Sequence, residues 1–153
     1  MKHILFCLTL LTLSSTLALA QTQNPKYDSV LAKKLGADDY GMKKYVLVLL
    51  KTGTNKTEDK AFTSQCFKGH MENIHRMVDS GKLIVAGPLG KNDQTYRGIF
   101  ILNVKDFDEA KALLRSDPAV QEKLLEAEYY NWFGSAALPE YLDASDKIWK
   151  VNP

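Results

Sequence analysis

The stretch Gly69–Pro88, GHMENIHRMVDSGKLIVAGP, decides the fold of this chain. It begins inside a helical pattern, turns at Asp79–Gly81, and continues as an apolar strand that ends at Gly87-Pro88. Because each residue of an α-helix advances by about 100°, His70 lies in the middle of the apolar face, whereas His75 lies outside it. The stretch therefore predicts a helix and a strand, with one titratable side chain pointing at the core.

Three more apolar runs predict the remaining strands of a sheet. The four predicted strands are Lys44–Lys51, Lys82–Leu89, Arg97–Val104 and Ala127–Phe133. The predicted helices among them are Glu58–Asp79, Phe107–Arg115 and a short one from Pro118 to Leu125. This β-α-β-β-α-β order is that of the ferredoxin-like split unit, so the predicted fold class is α+β.

The predicted strands are apolar on both faces. A ferredoxin-like sheet carries helices on one face only, so its strands should alternate apolar and polar residues. Instead, Lys44–Lys51 contains the unbroken run YVLVLL, and Ile99–Leu102 is apolar throughout. Because the chain has no further helices for the second face, we expect a sheet from another copy to cover it, which makes the protein a homodimer.

The first twenty residues have the three parts of a secretory signal peptide. Lys2 precedes an apolar run over residues 4–13, and Ala18-Leu19-Ala20 forms an Ala-x-Ala cleavage site. The apolar run is too short to span a membrane. We therefore expect cleavage after Ala20 and a secreted or periplasmic protein, with no membrane segment once the signal is removed. The alternative is an uncleaved amphipathic anchor.

The rest of the chain divides into three parts. Residues 21–43 form a polar N-terminal extension, residues 44–136 the α+β domain, and residues 137–153 a tail whose amphipathic pattern predicts a helix. The formal net charge of the whole chain is only +2, and its charges are interspersed, which argues against nucleic acid or an anionic membrane as a partner. Cys66 is the only cysteine beyond the signal peptide, so no disulfide is predicted within the mature chain.

These features together resemble the YCII-related (YciI-like) family of the dimeric α+β barrel superfamily. The resemblance covers residues 44–133 and rests on the inward His70, the later Gly81, the strand end Ala86-Gly87-Pro88 and the pair Asp117-Pro118. It implies a homodimer whose two sheets pack face to face, and an active site with a His–Asp pair at His70 and Asp117. The signal peptide, the extension and the tail depart from the short members of the family, so the resemblance carries no substrate class.

Each member of the predicted catalytic pair also has a purely structural interpretation. An inward histidine such as His70 is often a neutral core residue that is hydrogen-bonded to the backbone. Asp117, directly before Pro118, is a favoured helix N-cap. One carboxylate oxygen can cap the helix while the other accepts a hydrogen bond from His70, and that second bond would fix the tautomer of the imidazole.

Five further residues are candidates for binding a substrate: Gly87, Pro88, Arg97, Tyr130 and Trp132. Gly87 and Pro88 end a strand, but glycine would also let a ligand approach backbone N–H groups. Arg97 is either a carboxylate ligand or a solvated charge at a strand end. Tyr130 and Trp132 share one face of the last predicted strand, and two other aromatic residues of that strand share the opposite face. One of these pairs belongs to the core, while the other can line a pocket.

The sequence contains no motif for a metal or a cofactor. No second histidine shares the face of His70, and no glycine-rich phosphate loop or nucleophile elbow is present. The leading hypothesis is therefore an exported, homodimeric, cofactor-free acid–base enzyme, a lyase or isomerase, acting on a small organic molecule. The alternative is a non-catalytic dimer, a scaffold or a binder of small ligands, in which the His–Asp pair is structural.

Overall fold

A computed structural model describes residues 24–150 of the chain. Its strands are β1 (Met42–Thr52), β2 (Leu83–Pro88), β3 (Tyr96–Leu102) and β4 (Leu125–Ser135). Its helices are α1 (Ser29–Leu35), α2 (Lys60–Asp79), α3 (Phe107–Arg115), α4 (Pro118–Gln121), a 3-10 turn (Leu138–Tyr141) and α5 (Leu142–Ser145). The predicted signal peptide, residues 1–20, lies outside the described residues.

The four strands form one antiparallel sheet in the order β2-β3-β1-β4. This order, with α2 between β1 and β2 and α3 between β3 and β4, is the ferredoxin-like arrangement. The predicted α+β fold is therefore confirmed. The short helix predicted from Pro118 to Leu125 ends earlier, at Gln121, because Lys123 has a positive φ of 56° and Leu125 already pairs with Thr52 in the sheet.

Helix α2 begins and ends where its flanking residues satisfy the free backbone groups. The Asp59 carboxylate accepts hydrogen bonds from the backbone N–H groups of Ala61 and Phe62, at 2.9 and 3.0 Å. At the other end, Gly81 takes a φ of +66°, which glycine adopts without a steric penalty. These two signals fix the length of the helix and direct the chain into β2.

One face of the sheet carries the core. Alternate residues of β1 and β3 point towards α2 and α3 and are buried, and they pack with Met77 of α2 and Leu114 of α3. The strand residues concerned are Val46, Val48, Leu50, Phe100 and Leu102. Each fully buried side chain of this size contributes about 1.5–3 kcal/mol of hydrophobic free energy, so this face dominates the stability of the protomer.

The other face of the sheet, which we call the open face, has no helix over most of its area. It is formed by the intervening residues of the strands, among them Leu47, Leu49, Ile99 and Ile101, which are only partly buried. The two-sided apolar pattern predicted from the sequence is therefore present. That a second copy covers this face stays a prediction.

The described part of the C-terminal tail is a 3-10 turn followed by one turn of α-helix, Leu138–Ser145. It follows β4 at one edge of the sheet, and the Tyr141 hydroxyl donates a hydrogen bond to the carbonyl of Ile84 in β2, at the other edge. The tail therefore spans the width of the sheet. Within residues 24–150, no helix is both long and apolar enough to cross a membrane.

Candidate active site

His70 and Asp117 form the buried polar pair at the centre of the helical layer. His70 Nδ1 lies 2.6 Å from Asp117 Oδ2. The imidazole residue is only 8% exposed and the aspartate is 0% exposed. The hydrogen bond predicted between them is present, although 47 positions separate them in the sequence.

Asp117 caps α4 with the oxygen that does not contact His70. Its Oδ1 accepts hydrogen bonds from the backbone N–H groups of Ala119 (3.0 Å) and Val120 (3.4 Å), and Pro118 occupies the first helical position. The capping role and the contact with His70 therefore exist together. The buried carboxylate is thus hydrogen-bonded through both of its oxygens.

A glycine brings the two helices of the pair together. A Cβ atom added to Gly69 would lie 2.6 Å from Cγ of Pro118, the residue after Asp117, so only glycine allows α2 this close to α4. The sequence analysis did not identify Gly69 as part of the site. A glycine inside a helix costs about 1 kcal/mol relative to alanine, and that cost is the signal that indicates a packing requirement.

Two aromatic rings hold the imidazole in place. The Phe100 ring stacks on it, with 6.0 Å between centroids and an interplanar angle of 23°. The Phe67 ring meets it edge-on, at 6.1 Å and 82°. Together with the bond to Asp117, these contacts restrict the rotation of the ring and fix the direction in which its second nitrogen points.

The second ring nitrogen, Nε2, has no hydrogen-bond partner among residues 24–150. Every buried side-chain nitrogen or oxygen in the described part of the chain has a hydrogen-bond partner. The His70 side chain as a whole keeps 10% of its surface exposed. In the tautomer that donates Nδ1–H to Asp117, the neutral ring carries its lone pair on Nε2.

Apolar residues surround the approach to His70. Phe67 and Met71, one turn apart on the same side of α2, are each 36% exposed. On the edge strand β2, Ala86 pairs with Phe100, and Gly87 and Pro88 follow directly. Gly87 and Pro88 therefore lie within two residues of the strand position beneath the imidazole. Their role in binding a substrate stays a prediction.

Tyr130, Trp132 and Arg97 lie on the opposite side of the sheet from His70. Tyr130 pairs with Leu47, and Trp132 pairs with Tyr45, so both aromatic side chains belong to the open face. Arg97 is exposed at the irregular start of β3. It precedes Ile99, a residue of the open face, by two positions. Within one protomer these three candidates therefore do not share a face of the sheet with His70, and their role in binding a substrate stays a prediction.

The strand register decides which aromatic pair of β4 faces the helices. Side chains alternate along β4, and the sequence left open which aromatic pair faces the helices. Tyr129 pairs with Val48 of the core face and contacts Phe107 of α3, at 6.3 Å between centroids. Tyr129 and Phe133 therefore lie on the helical side of the sheet, and Tyr130 and Trp132 lie on the open face.

The open face has a polar cluster of its own that the sequence analysis missed. The Lys51 ammonium lies 2.9 Å from Oε1 of Glu128, and the Tyr130 hydroxyl donates to Oε2 of the same residue at 3.0 Å. The bonds from Lys51 and Tyr130 hold the pKa of Glu128 below its usual value. A groove of about 530 Å³ adjoins this cluster and contains neither His70 nor Asp117.

The described residues offer no other strong nucleophile or metal site near the pair. Burial raises the pKa of the Cys66 thiol, so the thiolate needed for nucleophilic attack is disfavoured. Between residues 24 and 150, no group of three or more histidine, cysteine, aspartate or glutamate residues is arranged to hold a metal ion. The arrangement offers proton transfer at Nε2 of His70.

Comparison with known proteins identifies the family. Residues 45–132 match the YCII-related domain, and no curated protein matches the chain. One similar solved structure is the 5-chloro-2-hydroxyhydroquinone dehydrochlorinase TftG from Burkholderia phenoliruptrix AC1100, in complex with 2,5-dihydroxybenzoquinone. Its sequence is 16% identical to this chain, and the TM-score is 0.39. The match covers 57% of this chain and 92% of that chain. Because the matched domain spans more than half of the sequence and contains the His–Asp pair, the chain belongs to the YCII-related family.

Proposed function

We propose that the protein is a small exported, homodimeric enzyme that carries out cofactor-free acid–base chemistry on a small organic molecule. His70 is the general base or acid, and Asp117 orients it. The reaction class is that of a lyase or an isomerase. The observation that carries this proposal is the 2.6 Å contact between buried Nδ1 and Asp117, together with an Nε2 that has no hydrogen-bond partner among residues 24–150.

The pair has the properties that a base catalyst requires. In the resting state, Nδ1 carries the proton and Nε2 carries the lone pair. When Nε2 takes a proton from the substrate, the imidazolium is stabilised by the carboxylate beside it, as in other enzymes that place an aspartate behind a catalytic histidine. The backbone N–H groups of Ala119 and Val120 hold the other oxygen of that carboxylate in place.

Two reactions fit this inventory. In an isomerisation, Nε2 removes a proton from a carbon next to a carbonyl group and returns it to another carbon, so the double bond moves and no atom is lost. In an elimination, Nε2 removes the proton, the new double bond forms, and a leaving group departs with its electron pair. The apolar side chains of Phe67 and Met71 favour a substrate with an apolar or aromatic body.

The open face supports the homodimer. Its apolar residues Leu47, Leu49, Ile99 and Ile101 are only partly buried within one protomer, and a second copy of the same sheet would remove them from water. In that arrangement Arg97, Tyr130 and Trp132 lie at or near the interface between the copies. Their proposed contribution to substrate binding then belongs to the dimer.

Export is proposed from Lys2, the apolar run and Ala18-Leu19-Ala20. Intact-mass measurement on protein from the envelope or secreted fraction of the native host is expected to show a chain that starts at Gln21. A cytoplasmic chain that retains Met1 contradicts the proposal. The secreted or periplasmic location follows from the same cleavage.

The second candidate function is a non-catalytic dimer, in which the pair only joins α2 to α4. The burial of His70 between two aromatic rings favours it, since such packing also suits a structural histidine. The two functions differ in what Nε2 does. A catalyst needs this atom, whereas a structural link needs Nδ1 alone.

The test therefore removes one nitrogen at a time. The mature protein is first screened against small carbonyl and ring-hydroxylated compounds by thermal shift, and compounds that bind are assayed for turnover. His70→Asn keeps an amide N–H near the position of Nδ1 but has no group at Nε2. We expect it to keep the fold and lose turnover. His75→Asn, on the exposed side of the same helix, is the matched control and is expected to be fully active.

Turnover by His70→Asn at the wild-type rate would refute the catalytic role. A catalysed reaction that survives in this variant would leave the structural function as the better account. If His70→Asn is inactive but also unfolded, His70→Gln provides a second variant, because its longer amide reaches the region of Nε2 without supplying a base.

A further inference from the structure

A third buried polar residue, Asn73, lies one turn after His70 on α2 and is 2% exposed. Its side-chain nitrogen is 3.5 Å from Asp117 Oδ2, the oxygen that binds His70, and 3.3 Å from the carbonyl oxygen of Leu113. Its side-chain oxygen accepts hydrogen bonds from Arg76 Nη2 at 2.9 Å and Ser116 Oγ at 3.2 Å. The amide is therefore partnered at both ends.

These partners fix the orientation of the amide. Arg76 can only donate, so the oxygen of Asn73 must face it, and the nitrogen must face the carboxylate and the carbonyl. The positive end of the amide dipole thus points at Asp117 Oδ2. An exposed guanidinium lies behind the amide, and its charge polarises the amide in the same direction.

We infer that Asn73 is a positioning residue for the His–Asp pair, and that Arg76 acts on the pair through it. The inference rests on the proposed acid–base function and deepens it. The 3.5 Å contact is long for a hydrogen bond, so Asn73 leaves the 2.6 Å bond of His70 as the dominant one. Its amide occupies the remaining approach to Oδ2 and prevents the carboxylate from turning away from Nδ1.

Helix geometry explains why these three residues act together. His70, Asn73 and Arg76 follow one another at steps of three residues, which rotates each about 60° from the last around the helix. The series leads from the core face, where His70 meets Phe100, to the exposed side facing Ser116. A surface cation is thereby linked to a fully buried carboxylate without a second charge being buried, which would carry a large desolvation cost.

The experiment reads the imidazole directly and needs no substrate. Long-range proton–nitrogen NMR spectra of the mature protein report which ring nitrogen of His70 carries the proton, and the exchange rate of the Nδ1 proton reports how well its bond to Asp117 is protected. We expect the wild type to show the Nδ1–H tautomer with a slowly exchanging proton. In Asn73→Leu, which has a similar volume and no donor, we expect exchange to be faster by about fivefold or more, the equivalent of one ordinary hydrogen bond.

Two further variants test the route and the specificity of the effect. Arg76→Met leaves Asn73 in place and is expected to change the exchange rate in the same direction, but by less. Met77→Leu alters a residue on the same helix that is equally buried, at 2% exposed, and is expected to leave the imidazole signals as in the wild type. Arg76 is exposed, so its variant is expected to fold even if Asn73→Leu does not.

The outcomes separate this inference from the proposed function. Wild-type tautomer and exchange in both Asn73→Leu and Arg76→Met would overturn the positioning role. A changed imidazole in these variants, together with full turnover by His70→Asn, would uphold the positioning role and refute the catalysis. Where a substrate is in hand, Asn73→Leu is expected to lower kcat with little change in KM, because Asn73 does not touch the substrate.

Discussion

Replacing Gly69 with alanine tests whether the contact between α2 and α4 sets the geometry of the His–Asp pair. The added Cβ would lie 2.6 Å from Pro118 Cγ and 3.2 Å from Pro118 Cδ. Since carbon atoms in contact are normally about 3.5–4.0 Å apart, the two helices must separate locally by about 1 Å. The proline ring is rigid and directly follows Asp117, so this movement acts on the aspartate.

Two opposing effects decide the change in the free energy of unfolding. Alanine in place of glycine inside a helix stabilises by about 1 kcal/mol, whereas overpacking a buried contact costs about 1–3 kcal/mol. We therefore expect Gly69→Ala to change the overall stability little, or to lower it by up to about 2 kcal/mol. The effect on the pair is larger, because a shift of about 1 Å lengthens a 2.6 Å hydrogen bond beyond its useful range.

The assay combines urea unfolding with the NMR signal of the His70 Nδ1 proton. Pro118→Ala removes the two ring atoms that the new Cβ would strike, so the double variant Gly69→Ala/Pro118→Ala is the matched control. We expect the double variant to recover the Nδ1 signal that Gly69→Ala loses, with a non-additive gain in stability. If Gly69→Ala alone is more stable by the full helix-propensity gain and keeps the wild-type Nδ1 signal, this reasoning is refuted.

Two further predictions concern the interface and the dependence on pH. Ile101→Asp, on the open face, is expected to convert a dimer into a folded monomer, measured by sedimentation. Leu102→Asp changes a core side chain that is 0% exposed, and it is expected to unfold the protomer. A wild-type protein that is already monomeric would contradict the prediction for Ile101→Asp. Hydrogen bonds from the Lys105 backbone and from Lys82 hold the pKa of Glu109 below its usual value of 4.5. The stability that these bonds provide is therefore fully present above pH 4.5. It is lost as the pH falls through the lower pKa of the folded state. Urea unfolding at neutral and acidic pH is expected to show a smaller acid loss in Glu109→Gln than in the wild type, and equal losses would show that this carboxylate is not responsible.

The sequence was sufficient to predict the fold because its strands, helices and turns depend on local signals. The unbroken apolar run of Lys44–Lys51 and the turn at Gly81 define a strand and a helix end without reference to distant residues. Asp117 before Pro118 indicates a helix start, and the inward position of His70 follows from helical geometry alone. The resemblance to the YCII-related family then connected these two residues across the chain.

The remaining parts of the site depend on register and packing, which a single sequence does not contain. Tyr130 and Tyr129 are neighbours of the same type, and only the pairing of β4 with β1 decides which of them faces the helices. Helical geometry places Asn73 on the same apolar face as His70 and Met77, a signal that the sequence analysis did not use. Its role follows only from the position of Ser116 and Asp117 beside it.

The polar groups of the site come from the helical layer, and this decides how the function must be tested. His70 and Asn73 lie on α2, and Asp117 caps α4. From the sheet, Phe100 stacks on the imidazole of His70. The hydrogen bonds that would orient a catalytic imidazole are therefore the same bonds that fasten α4 to α2. Loss of stability in a variant of the pair is expected under both functions and cannot distinguish them. The distinction lies in Nε2, which takes no part in the packing of the helices, so a variant that lacks only this atom separates catalysis from structure.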